Sequence, residues 1–210
     1  MNLFSHTLLV GTVFLLTLKE LTEACSCISF HPQDQFCRAS VVIHAKVISK
    51  RFIQPNHERG DGKVVYGIKL IEVFKGIDKN NIIDSAYTSS QSASCGVELN
   101  VGNQVEYLLS GYLQENKLAI SLCGLAKPWN QVTAFQIKGI RGFYQMGCAC
   151  KITTCYSESC GTSAPNECIL NFSLYETGPN GFESQNLACI QRKDDSCMWY
   201  PTSPSYTNHP

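Results

Sequence analysis

This chain lacks an excess of charge of either sign. Its 17 Lys and Arg balance 17 Asp and Glu, and no basic run stands out. Nucleic acid needs a positive stripe to meet its phosphates, and an anionic membrane surface needs a Lys/Arg cluster, so neither is an expected partner. The chain also lacks a membrane span. Its one long apolar stretch, Leu8 to Leu18, is broken only by Gly11, Thr12 and Thr17 and is too short for a bilayer. No second stretch follows it. Hydrolase signatures are missing too. There is no His-Glu-x-x-His to hold a catalytic metal, and no serine stands in a nucleophile elbow. The chain is therefore expected not to be an enzyme.

What the chain has in abundance is cysteine: 12 residues, none before Cys25. Leu8 to Leu18, followed by the small residues Thr22 and Ala24, suits a signal peptide over 1–24 that is cleaved after Ala24. An even, dense set of cysteines behind such a segment reads as a disulfide framework made in an oxidising compartment. The expected product is secreted to the extracellular space, with Cys25 as its first residue. Zinc knuckles are the competing reading of the close pairs Cys25-Ser26-Cys27 and Cys148-Ala149-Cys150. Paired zinc ligands prefer wider spacing, and the five histidines cluster with neither pair. Bridged cysteines cannot serve as thiolate nucleophiles either.

After Cys25 the chain reads mainly as β-structure. His31-Pro32-Gln33 is expected to be extended, because Pro32 fixes its own φ and restricts His31. Val41, Ile43, Ala45 and Val47 alternate as in a half-buried strand, and Val64, Tyr66, Ile68 and Leu70 do the same. The polar stretch 51–63 between them, with Pro55, Gly60 and Gly62, reads as a long exposed hairpin loop. Asn81 to Thr88 is a third strand. Val105, Tyr107 and Leu109 mark a fourth, and Leu118, Ile120 and Leu122 mark a fifth that Cys123 closes. Val132, Phe135, Ile140, Phe143 and Tyr144 are spaced roughly as one helix face, weakened by Gly139 and Gly142. Five short antiparallel strands with flanking helices suggest a closed Greek-key barrel of the OB type, a fold that fixes no function. The cysteines divide evenly, six to Cys148 and six from Cys150. The division suggests domains over 25–148 and 149–210. The second is a small disulfide-rich unit that needs its bridges for stability. Asn171-Phe172-Ser173 is a glycosylation sequon, and the tail from Pro201, without a charged residue, reads as disordered.

These residues resemble a known family. Cys25-Ser26-Cys27 followed by His31-Pro32-Gln33 and Cys37 is similar to the start of the tissue inhibitors of metalloproteinases. Val41 to Lys46, Phe74-Lys75-Gly76, Cys95-Gly96-Val97, Tyr107-Leu108-Leu109, Cys148 to Thr153 and Asn166-Glu167-Cys168 resemble that family's later landmarks. The resemblance covers the whole mature chain and every cysteine. It implies a five-stranded OB-like (netrin-like) inhibitory domain and a smaller disulfide-bonded domain. It also implies the pairs Cys25–Cys95, Cys27–Cys123 and Cys37–Cys148 in the first half. In the second it implies Cys150–Cys197, Cys155–Cys160 and Cys168–Cys189. Spacing alone leaves 15 pairings open for each set of six. Four features depart from the family's pattern: His44 in place of an arginine, a bulky Phe30, Ile169-Leu170-Asn171-Phe172 in place of a Trp-containing run, and an uncharged tail.

The function the resemblance implies is inhibition of zinc proteases, namely matrix metalloproteinases and their relatives, in a one-to-one complex. The inhibitory ridge would comprise Cys25, Ser26, Cys27, Ile28 and Ser29 beside Ala93, Ser94, Cys95, Gly96 and Val97. The free amine and carbonyl of Cys25 would be ligands to the target's zinc, so no cofactor of its own is expected, only a zinc shared with the protease. Small Ser26 would point into the pocket beyond the metal and leave the inhibitor broad in range. The alternative is a non-inhibitory netrin-like module that binds matrix or a cell-surface receptor. Such a module needs no cysteine at mature position one.

Overall fold

The computed structural model describes residues 25–27, 31–55, 62–77, 83–102, 105–157, 160–171, 184 and 186–201. The leader, Ile28-Ser29-Phe30 and the tail from Thr202 lie outside them. Helix α1 (Pro32–Arg38) leads into strands β1 (Val41–Ile53), β2 (Lys63–Lys75), β3 (Ser85–Ser89), β4 (Glu106–Gln114), β5 (Lys117–Ala119) and β6 (Ala126–Pro128). A 3-10 turn (Trp129–Gln131) then precedes a helix in three parts. These are α2 (Ala134–Lys138), a π-helical turn (Gly139–Phe143) and α3 (Tyr144–Met146). The second half adds β7 (Lys151–Cys155), β8 (Glu167–Asn171), β9 (Leu187–Gln191) and β10 (Cys197–Pro201).

Five strands close a ring in the order β1-β2-β3-β5-β4, because β4 also pairs with β1, and β6 extends β4. Only β3 and β5 run parallel within this sheet. This is the expected OB-like barrel. Register shifts near Val42, His44 and Val47 interrupt the β1–β2 ladder. Each extra residue bends and twists its strand, which lets β1 meet β2 along one edge and β4 along the other.

The alternation of β1 separates two cores. Val41, Ile43, Ala45 and Val47 point into the barrel with Tyr66, Ile68, Leu109 and Leu118. Val42 points the other way, into a second core with Phe36, Leu108, Leu125, Ile140, Tyr144 and Ala188. Val41 to Val47 of β1 and Tyr107 to Gly111 of β4 are thus covered on both faces, while β1 beyond Val47 is exposed. His44 belongs to the outer layer. Its ring stacks on Trp129 at 3.7 Å between centroids, and its Nε2 lies 2.9 Å from Glu106 Oε2. Where the family's pattern has arginine, His44 is thus held between Trp129 and the Glu106 carboxylate.

Several expectations need correction. Pro32 does not hold the chain extended. It opens α1 at a position where a missing N–H costs nothing and φ is already helical, while His31 Nδ1 accepts from Gln33 N at 3.1 Å as the cap. The stretch 51–63 is less of a loop than its polarity implied. β1 runs to Ile53 and β2 restarts at Lys63, since paired backbones tolerate polar side chains on an exposed ribbon. The third strand begins at Ser85, after Ile83 and Asp84, which are not part of it, while Asn81 and Ile82 lie outside the described residues. The fifth ends at Ala119, so Cys123 sits in a turn. Val132 precedes the helix rather than joining it.

The six disulfides are Cys25–Cys95, Cys27–Cys123, Cys37–Cys148, Cys150–Cys197, Cys155–Cys160 and Cys168–Cys189. This is the pairing the resemblance implies, with no bridge crossing between halves. Non-covalent contacts do cross. The amide of Gln33, 1 % exposed, donates to Cys189 O at 2.6 Å and accepts from Cys189 N at 2.8 Å. Gly147 lets the chains approach this closely, because a Cβ there would lie 1.7 Å from the same carbonyl. Gln33→Ala strands both backbone groups of Cys189 in a buried site and should cost about 3 kcal/mol of unfolding free energy. Denaturant titration checks this, and an unchanged midpoint would mean the contact contributes nothing.

Glu167 anchors the second half. Its carboxylate accepts from Lys151 Nζ at 2.8 Å, Ser163 N at 3.0 Å and Ser163 Oγ at 2.6 Å. These bonds hold its pKa down from 4.5 to about 2. The folded protein therefore binds this proton less tightly than the unfolded chain, so Glu167 stabilises above pH 4.5 and loses that contribution as pH falls towards 2. Glu167→Gln should be less stable than the parent at neutral pH, with the gap closing towards pH 2. Equal gaps at pH 7 and pH 2 in paired denaturation curves would refute the assignment.

Candidate functional site

Cys25-Ser26-Cys27 has no regular structure and no hydrophobic anchor of its own. Two bridges hold it: Cys25 to Cys95 after β3, and Cys27 to Cys123 after β5. The bridges lie side by side, with Cys25 and Cys27 Sγ 4.0 Å apart and Cys95 and Cys123 Sγ 3.8 Å apart. Four thiolates this close would make a zinc site. Here every sulfur is spent in a disulfide, so the cluster is a covalent knot that fixes the segment at two points. Ser26, between the anchors, is exposed.

The loop on the other side is equally constrained. Cys95 N donates to Ser92 O at 3.1 Å and Gly96 N to Gln91 O at 3.0 Å, while Leu122 N donates to Cys95 O at 2.9 Å. Cys95 takes a left-handed backbone, φ +58°, which a non-glycine residue adopts only when its surroundings impose it. The next position must be glycine for a different reason: a Cβ on Gly96 would lie 2.3 Å from Ser89 O. Beyond it, Val97 N donates to Thr88 Oγ1 at 3.1 Å. Tyr66 Oη donates to Val97 O at 3.3 Å and accepts from Leu99 N at 3.1 Å. A fully buried tyrosine thus pins the loop's exit to the barrel.

The structure brings Cys25, Ser26 and Cys27 beside Cys95, with Gln91 to Ser94 exposed on the same turn. Ala93 and Ser94 are therefore at the surface. Val97 is not, since its side chain packs in the barrel core. Ile28 and Ser29 lie outside the described residues, and Asn171 ends β8 with the rest of its sequon outside them. The residues from Cys25 to Cys27 and from Gln91 to Val97 carry no charge. Glu98 beyond them is paired with Lys50 at 2.9 Å, which holds its carboxyl below the usual range.

Leu122 is a residue the sequence reading misplaced. Its spacing puts it with Leu118 and Ile120 on the fifth strand, but it is 51 % exposed in the turn beside Cys123. The signal for this was the adjacent cysteine: a bridge to the N-terminal segment forces the chain out of the sheet before the alternation ends. Leu122 gives the neutral surface an apolar side chain next to the Cys27 bridge.

No helix among the described residues is long and apolar enough to cross a membrane. Comparison with known proteins agrees with the geometry. The family described as "Tissue inhibitor of metalloproteinase" matches residues 23–199. Metalloproteinase inhibitor 2 of Canis lupus familiaris is 41% identical over 200 residues, 93% of this chain and 90% of that protein. Its counterpart in Homo sapiens is 40% identical over 197 residues, covering 92% and 89%. Metalloproteinase inhibitor 3 of Xenopus laevis is 36% identical over 203 residues, covering 95% and 92%. By barrel, bridges and sequence together, the chain belongs to the tissue inhibitors of metalloproteinases, a family of protease inhibitors rather than enzymes.

Proposed function

We propose that this protein, secreted and trimmed to begin at Cys25, inhibits zinc metalloproteinases by placing its N-terminal amine and the Cys25 carbonyl on the target's catalytic zinc. The observation that carries the reading is the double anchorage of Cys25-Ser26-Cys27 to Cys95 and Cys123, with Ser26 exposed between the anchors. A catalytic zinc keeps one position open for water and accepts nitrogen and oxygen ligands. An amine and a carbonyl on one rigid residue can take that position, and the displaced water is the nucleophile the protease needs. The amine binds in its neutral form. An α-amino group titrates at about 7.7–8.0, so part of the population is neutral at physiological pH, and the metal drives off the remaining protons.

Rigidity supplies the affinity. Each bridge removes freedom that binding would otherwise have to remove, so less of the contact energy is lost to ordering. The uncharged surface of Ser26, Ala93, Ser94 and Leu122 suits a cleft recognised by shape rather than by ion pairs, in keeping with a broad target range among matrix metalloproteinases. Titrating an active matrix metalloproteinase with protein refolded from Cys25 tests the reading. Activity should fall linearly to zero at one equivalent. Undiminished activity across several metalloproteinases would favour a module that binds matrix or a receptor instead.

A further inference from the structure

The helices leave a cleft where they pack over β4 and β6. α1, β6 and α2 surround a cavity of about 310 Å³, within the size range of small-molecule sites. Pro32, Leu108, Leu125 and Ile140 supply apolar wall. Lys127 is the sole charged residue that lines it. Its Nζ donates to Gln136 Oε1 at 3.3 Å, an oxygen that already accepts from Thr133 N. An ammonium has three donors, and none of the ion pairs among the described residues includes Lys127. Burial pushes this amine below its ordinary pKa, as expected for a cation without an anion beside it.

We propose that this cavity binds a small amphiphilic carboxylate, its apolar body against Leu108, Leu125 and Ile140 and its carboxylate on Lys127. The assignment follows from charge complementarity. An apolar chamber with one unpaired cation at its edge favours one negative charge on an otherwise apolar ligand. A carboxylate would supply the charged hydrogen bond that Gln136 cannot, and a neutral or cationic analogue would not. The site is separate from the ridge, although Gln35 connects it to Cys123, the bridge partner of Cys27. Gln35 lines the cavity, and its Nε2 donates to Cys123 O at 3.4 Å and Gly124 O at 3.3 Å.

Calorimetric titration of the intact protein with octanoate and with 2-naphthoate tests this, the two arms separating an aliphatic from an aromatic body. Saturable one-site binding is expected in at least one arm. Lys127→Met, which keeps the stem and removes the charge, should weaken it about tenfold. Octanol should bind more weakly than octanoate and be indifferent to Lys127→Met. Gln131 is exposed at the cavity rim, so Gln131→Trp should block the mouth without disturbing the core. The proposal is overturned if neither carboxylate saturates, if octanol matches octanoate, or if both variants bind like the parent. None of these readouts involves protease inhibition, so the site stands or falls independently of the ridge.

Discussion

A single alanine added ahead of Cys25 should abolish tight inhibition of a matrix metalloproteinase, raising the inhibition constant by about a thousandfold or more, equivalent to roughly 4 kcal/mol. The addition changes little else. Cys25 keeps its bridge to Cys95, Ser26 stays exposed, and both barrel cores lie elsewhere. What is lost is the amine, which becomes an amide nitrogen with no lone pair available for zinc and a chain occupying the space in front of it. Acetylating the N-terminus of the unextended protein should have the same effect for the same reason. Thermal unfolding should be unchanged in both cases, which separates loss of a ligand from loss of the fold. Full inhibition by the extended protein would eliminate chelation by the free terminus and leave only occlusion by the ridge.

What could be read from the sequence depended on whether a residue's neighbours were near it in the chain. Val41, Ile43, Ala45 and Val47 announced a strand because the barrel interior is lined every second residue. Val42 and His44 did not announce their burial, because the layer that covers them comes from Leu108, Trp129, Ile140 and Ala188. Val97 reads as part of the exposed ridge because Gln91 to Ser94 shortly before it are exposed. Only the folded position of Tyr66, whose hydroxyl grips the backbone on either side of Glu98, turns Val97 inward. The strands of the second half gave no periodic signal at all. β7 and β8 are short, parallel and built from residues such as Lys151-Ile152-Thr153-Thr154, and their stability rests on bridges and on Glu167. The disulfide pairing was legible only through resemblance, since spacing could not choose among the alternatives.

The ridge's two anchors make unequal demands, and removing one should show it. Replacing Cys27 and Cys123 together by serine opens a loop of sequence separation 96, and the chain-entropy account puts its contribution at about 4–5 kcal/mol. Much of an ordinary domain's stability is of that order, so a large fall in the denaturation midpoint is expected. The effect on inhibition should be smaller than that of the added alanine. Cys25 remains tied to Cys95, whose own position is fixed by Ser92, Leu122 and the turn closed by Gly96. Cys25 therefore keeps its attachment, but Ser26 and the chain after it lose their second point of attachment. Binding must then order that segment, at about 1–2 kcal/mol per residue fixed, or roughly fivefold to several hundredfold in the inhibition constant for one or two residues. Measurement at a temperature where the variant is folded gives the answer directly. Inhibition equal to the parent would mean that one bridge suffices for preorganisation. A loss as complete as that from the added alanine would mean that the two bridges position the zinc ligands as a single unit.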